Sequence, residues 1–204
     1  MIHIYGDSHA RFSFSGLDLS HQNHSCSSIT MFRIGRDQAI VNFHPSHLGP
    51  DNILVFVFGE IDVRFHIGNQ ILGGRKEEEI IQQLVMAYFK TIKTVATSTS
   101  SYRHIIVTSI VPPLQQAEYE SLHGKITHEY PFQSSDTDRV RFRERMNTLL
   151  REYCQEDHFV FFDPYEFYTR VDGTLKFEYS DKNVHIQENS RVLQLFKELI
   201  ENLS

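Results

Sequence analysis

The chain has 204 residues, 40% of them hydrophobic and 23% charged, which is enough for one well-filled core and short for two, so one domain spanning 1–204 is expected. A net charge of −6 argues against a general nucleic-acid binder, and no run of 18 apolar residues offers a membrane span. Cys26 and Cys154 are the sole cysteines and lack CxxC spacing, so they read as free thiols in a reducing compartment, with a single disulfide left open.

The chain enters a short apolar stretch at once (residues 2–5, Ile-His-Ile-Tyr), which reads as a strand and leaves no room for a signal peptide; the expected location is the cytoplasm. Gly6-Asp7-Ser8-His9 follows. Residues 53–58 are a continuous apolar run ending at Gly59, as expected of a strand buried on both faces. Residues 76–95 place Ile80, Ile81, Leu84, Tyr88, Ile92 and Val95 on one helical face. Residues 105–111 form the next strand, stopped by Pro112 and Pro113. The stretch 114–135 is polar and irregular, with Tyr119, His123, His128, Tyr130 and Phe132 in it; a loop of this length is a lid, a specificity element or a surface excursion that merely packs. Helical spacing returns over 136–153 through Phe142, Met146, Leu149, Leu150 and Tyr153, with Asp136 or Asp138 as its cap. Residues 159–162 are a fourth strand before Asp163-Pro164, and a last helix carries Val192, Phe196, Leu199, Ile200 and Leu203.

Strands alternating with helices predict an α/β fold, a mainly parallel sheet covered on both faces in a three-layer α/β/α sandwich. Sites in such sheets form at the carboxyl ends of the strands. Ser8, residues 59–64, residues 109–113 and Asp163 all follow strand ends, and so belong to one edge of the fold.

Ser8 on the turn after the first strand is a candidate nucleophile. A free hydroxyl is a poor one and needs a base within hydrogen-bond reach. His185, just before the last helix, is the candidate base, and Asp181 is the acid that would fix its tautomer and support its charge. Taken singly, Ser8 reads as a helix cap and His185 as one loop histidine among twelve. The pair, in this order around an α/β core, points to an esterase-type site. Asp7 is better suited to accepting backbone N–H bonds that stiffen the turn. His9 reads as a turn residue or a substrate contact. Asn42, His44 and His47 lack a convergent carboxylate or cysteine set and make a poor zinc site, so no metal is expected. Neither GxxxxGK[ST] nor GxGxxG occurs, so no nucleotide cofactor is indicated.

These motifs resemble the SGNH, or GDSL-type, hydrolases across the whole chain. The resemblance implies a flavodoxin-like α/β/α sandwich, with Ser8 of Gly6-Asp7-Ser8 as nucleophile and His185 as general base. Gly35 takes the place of the glycine that donates its backbone N–H to the oxyanion, and Gly59-Glu60-Ile61-Asp62 stands where Gly-x-Asn-Asp belongs. Two departures stand out. Ile61 occupies the asparagine position and cannot donate, a loss that typically costs about 3 kcal/mol of transition-state stabilisation. If the segment is extended, residues 60, 62, 64 and 66 share a face. Arg64, with His66 close by, then reaches the oxyanion or an anionic substrate group, held by Glu60 or Asp62; the bland reading is a buried ion pair among Glu60, Asp62 and Arg64 that shapes the turn. Asp181 also lies four residues before His185, where the family spacing is three and Lys182 takes the expected position. Either a one-residue bulge restores the geometry, or the site is a dyad, or a carbonyl or another carboxylate such as Asp163 orients the ring. The implied substrate is an ester, and the polar, His- and Arg-rich surroundings suggest a small polar one such as an O-acetylated carbohydrate. A non-catalytic binding protein and an acyltransferase on the same scaffold are the alternatives. The sequence leaves the oligomeric state open.

Overall fold

A computed structural model describes residues 1–45, 48–98, 102–127 and 129–203. Five strands, β1 (Ile2–Gly6), β2 (His21–Asn23), β3 (Ile53–Val57), β4 (His104–Thr108) and β5 (Val160–Phe162), form one sheet among these residues. Their order is β2-β1-β3-β4-β5 and every pairing is parallel. β1 and β3 lie inside the sheet and are buried at all five positions, which is why β3 reads as an unbroken apolar run, whereas β1 carries one polar residue, the buried His3.

Alternation along the strands splits the core in two. Tyr5, Leu54, Phe56, Ile105 and Val107 face α2 (Met31–Asp37), α4 (Glu77–Ser98) and α6 (Asp136–Glu156), where Ile34, Leu84, Tyr88, Phe142 and Met146 meet them. Ile4, Val55, Val57 and Ile106 face the opposite way, toward α1 (Ser8–Ser13) and α7 (Ser190–Asn202), with Ala10, Phe14, Val192 and Phe196. The expected parallel sheet with helices on both faces is present. The strand order reverses between β1 and β3, and in such sheets the crevice at the reversal, beyond the carboxyl ends, is where ligands bind. No helix among the described residues is long and apolar enough to cross a membrane.

Besides β4, which ends at Thr108 where a strand running to 111 was expected, four stretches differ from the sequence expectation. β2 is a polar edge strand, His-Gln-Asn, paired on one side, and so carries no apolar signal. Residues 60–72 are helical, with a π-helical turn over Asp62–His66 leading into α3 (Ile67–Leu72), where an extended segment was expected. Gly59, at φ 117, turns the chain from strand to helix, and a Cβ there would lie 2.9 Å from Ile110. The stretch 114–135 holds a helix, α5 (Gln116–His123), that buries one side chain, Tyr119, and so lacks an apolar stripe. α6 is capped by Ser135, whose hydroxyl accepts from the N–H of Asp138 (3.1 Å) in a capping box; Asp138 is the box's partner and Asp136 lies inside the helix.

Candidate active site

Gly6 ends β1 with no room for a side chain, since a Cβ would sit 2.3 Å from that of Ala10 and 2.5 Å from the carbonyl of Val57. Asp7 is the N-cap of α1: its Oδ1 accepts from the N–H of His9 at 2.8 Å. Ser8 is therefore the first residue of the helix, not its cap, and its N–H is one of the first-turn donors that have no partner within a helix.

The loop before α7 carries His185 to this turn. Its Nε2 lies 2.8 Å from Ser8 Oγ, and its Nδ1 lies 2.8 Å from Asp181 Oδ2. The four-residue spacing closes because Lys182 takes a left-handed conformation, φ 65, which loops one residue out of the turn. The N–H of Asp181 then donates to the carbonyl of His185 (3.0 Å), while Asp181 Oδ1 accepts from the N–H groups of Asn183 (2.8 Å) and His185 (3.2 Å). Burial would raise the Asp181 carboxyl; the bond and charge of His185 with these N–H groups hold it below the usual range. Phe12 stacks on the imidazole with ring centroids 4.2 Å apart and fixes its plane. Asp163 is not a partner of this ring: it accepts from Ser109 Oγ at 2.5 Å.

Ser8 and His185 open into a cavity of about 190 Å³ whose other walls include Ser28, Ile61, Arg64, Tyr130 and Asn183. The chain leaving β2 forms one wall, because the N–H of Cys26 donates to the carbonyl of Gly6 (2.9 Å) and so brings residues 27 and 28 beside the serine. Ser28 has φ 63, a conformation that glycine adopts more readily. Larger hollows, of about 340 and 350 Å³, lie against α4 and α6 and contain no serine–histidine pair.

Of the residues expected around the oxyanion, Arg64 lines this cavity and three do not. Arg64 Nε donates to Glu60 (3.0 and 3.2 Å) and Nη1 to the carbonyl of Tyr130 (2.8 Å). The pairing with Glu60 is the i, i+4 contact of a helix, not the alternation of an extended chain. Burial would raise Glu60, yet Arg64 and His9 hold it below the usual range. Asp62 is fully buried away from the cavity and caps α2, accepting from the N–H groups of Met31 (2.7 Å) and Phe32 (3.1 Å). Burial pushes its carboxyl up to about 7, against the pull of those two bonds. His66 lies on Phe32, ring centroids 4.0 Å apart, with a ring nitrogen 2.6 Å from Gln70 Nε2. Gly35 sits in the middle of α2, where a Cβ would come within 2.7 Å of that of Ala87. It is a helix-packing glycine, and the expectation that it faces the oxyanion is corrected.

Sequence reasoning undervalued His9, whose buried ring touches the loop of His185, and passed over Ser28. A histidine directly after the candidate serine was the available signal for the first. The second had none, since β2 itself was illegible. Of the histidines considered for zinc, His47 lies outside the described residues, and among those described no group of three or more metal-ligating side chains converges.

No family model matches the sequence, and no curated protein sequence matches it. Solved structures do match in shape. A Bacteroides fragilis protein provisionally assigned as an acylhydrolase is 13% identical, with a TM-score of 0.67 over 100% of this chain and 88% of that one. A GDSL-like lipase from Bacteroides thetaiotaomicron is 15% identical, with a TM-score of 0.62 over 100% and 88%. The chain has the SGNH-hydrolase fold. A carbohydrate acetylesterase from Sinorhizobium meliloti shares that SGNH fold at 12% identity, with a TM-score of 0.55 over 100% of this chain and 99% of the other. Within the SGNH scaffold this sequence is divergent, and Ile61 at the asparagine position is one departure: it is 3% exposed and lines the same cavity as Ser8.

Proposed function

We propose that the protein is a serine esterase acting on a small polar ester, with O-acetyl groups on a carbohydrate as the favoured class. The hydrogen-bonded chain from Ser8 through His185 to Asp181 carries this reading. Ser8 Oγ attacks the ester carbonyl while its proton passes to His185 Nε2. Asp181 holds the Nδ1–H tautomer and supports the imidazolium. The N–H of Ser8 is the proposed oxyanion donor, and Ser27, Ser28 and Arg64, which line the same cavity, are the candidates to replace the amide that Ile61 lacks. The ring then protonates the leaving alcohol, and a water deprotonated by His185 releases the acid from the acyl-serine. A cavity of about 190 Å³ suits a short acyl group better than a long chain. The names of the three neighbours described above, acylhydrolase, lipase and acetylesterase, support ester hydrolysis.

Labelling with a fluorophosphonate, read by intact mass, tests the reading. Wild type takes one adduct, Ser8→Ala none, and His185→Ala reacts far more slowly; folded wild type that stays unlabelled would argue for a protein that binds without hydrolysing. Ile61 is the observation that favours this second reading, since the scaffold's usual side-chain donor is missing. Transfer of the acyl group to a sugar hydroxyl is the third, and product analysis with and without an acceptor separates it from hydrolysis.

A further inference from the structure

His9 follows the proposed nucleophile, yet its ring points away from solvent and is 3% exposed. Nδ1 lies 3.1 Å from Asp7 Oδ1. Nε2 lies 3.1 Å from the carbonyl oxygen of Val184 and 3.7 Å from Glu60 Oε2. All three neighbours are oxygens that accept. A neutral imidazole has one N–H and one bare lone pair, so either tautomer would aim that lone pair at an oxygen. The doubly protonated ring alone makes both contacts good ones.

We propose that His9 is a buried imidazolium tying the Val184–His185 loop to the Asp7–Ser8 turn, and that this tie positions His185 on Ser8. The proposal rests on the esterase reading of Ser8. His9 is a positioning residue in it, acting through Val184, the neighbour of the base.

The charged surroundings fit a cation. Asp7 comes from the turn before α1, Glu60 from the helical start just after Gly59, Arg64 from the π-helical turn, and the ring of His185 from the C-terminal loop, 4.8 Å away between centroids. With His9 charged, the two carboxylates are matched by two cations; without its proton one buried carboxylate is left unmatched, which is costly. Burial alone would lower the histidine, and Asp7 and Glu60 outweigh it and raise it. Asp7 Oδ2 is buried and has no hydrogen-bond partner among the described residues, so Oδ1, shared by the ring and the N–H of His9, takes the bonds that hold the turn.

The test combines two readouts on the full chain. Long-range proton–nitrogen NMR at pH 7.5 should show one histidine ring with both nitrogens protonated, and that signal should vanish in His9→Gln; wild type with neutral rings alone would overturn the proposal. The rate at which Ser8 takes the fluorophosphonate should fall in His9→Phe by about 10- to 100-fold, the usual cost of slightly misplaced reacting groups. His9→Gln, which keeps one donor for Val184, should recover part of it. In wild type the rate should decline at alkaline pH as His9 loses its proton, and in His9→Gln that decline should be gone. An unchanged rate and pH profile in His9→Gln would refute the positioning role even if His9→Phe does not fold. The two readings fail in different ways. A neutral His9 in wild type that labels removes the tie and leaves the esterase standing; folded wild type that never labels removes the esterase, and His9's part in catalysis with it.

Discussion

Asp181 and His185 meet across a spacing that would separate them in a regular turn, because Lys182 accepts a left-handed backbone. In the proposed esterase the acid fixes the tautomer, so Asp181→Asn should slow turnover of p-nitrophenyl acetate by about 10³- to 10⁴-fold with little change in KM; a loss below tenfold would mean that Phe12 and the loop hold the ring unaided. Arg64 carries a different kind of weight. Arg64→Met should cost about 3 kcal/mol in urea unfolding, because it leaves the buried Glu60 without its guanidinium, and a variant as stable as wild type would show that Glu60 relies on His9 instead. At this scale the sequence was informative where side-chain chemistry is distinctive, as with Ser8, His185 and Asp181. It was silent where backbone geometry decides, as with Ser28, whose role in the cavity wall follows from a φ of 63 that no residue letter announces.

α2 shows how an element can mislead. Its glycine falls after the second strand, where the resemblance places an oxyanion donor, but the helix packs flat on α4 and Gly35 makes that approach possible. Gly35→Val should therefore destabilise the fold by about 1–3 kcal/mol through overpacking. The surviving folded fraction should label at Ser8 as fast as wild type, and slower labelling would return the glycine to the site. The buried central strands and the long helices were legible because burial writes a period into the sequence, as in Ile80, Leu84, Tyr88 and Ile92 of α4. β2 and α5 were not, since each buries too little to leave a pattern. Residues 60–72 were misread because two charges spaced by four fit a helix and an extended chain alike, and the Gly59 turn decided between them.

For the whole molecule, the buried charges set how stability depends on pH. Glu60 and Asp181 titrate below their ordinary values, so their contribution is present above the ordinary carboxylate range and lost as pH falls through the lowered values. His9 and Asp62 titrate above theirs, so what they contribute is full at low pH and lost as pH rises, Asp62 through about 7. The urea midpoint should therefore peak near the ordinary carboxylate range, at about pH 4 to 5, and decline toward pH 8; a midpoint that keeps rising to pH 8 would show that His9 and Asp62 carry no such linkage. The same layout explains the placement of chemistry. The reversal of strand order between β1 and β3 opens one crevice, and the two ends of the chain, 177 residues apart at Ser8 and His185, meet there. In the proposed esterase this meeting makes an acyl-transferring serine. Its most direct test is intact mass after rapid acid quench of the protein with p-nitrophenyl acetate. Wild type should gain one acetyl group, mapped to Ser8 and missing in Ser8→Ala. Folded wild type that gains no acetyl group and releases no nitrophenol would contradict it.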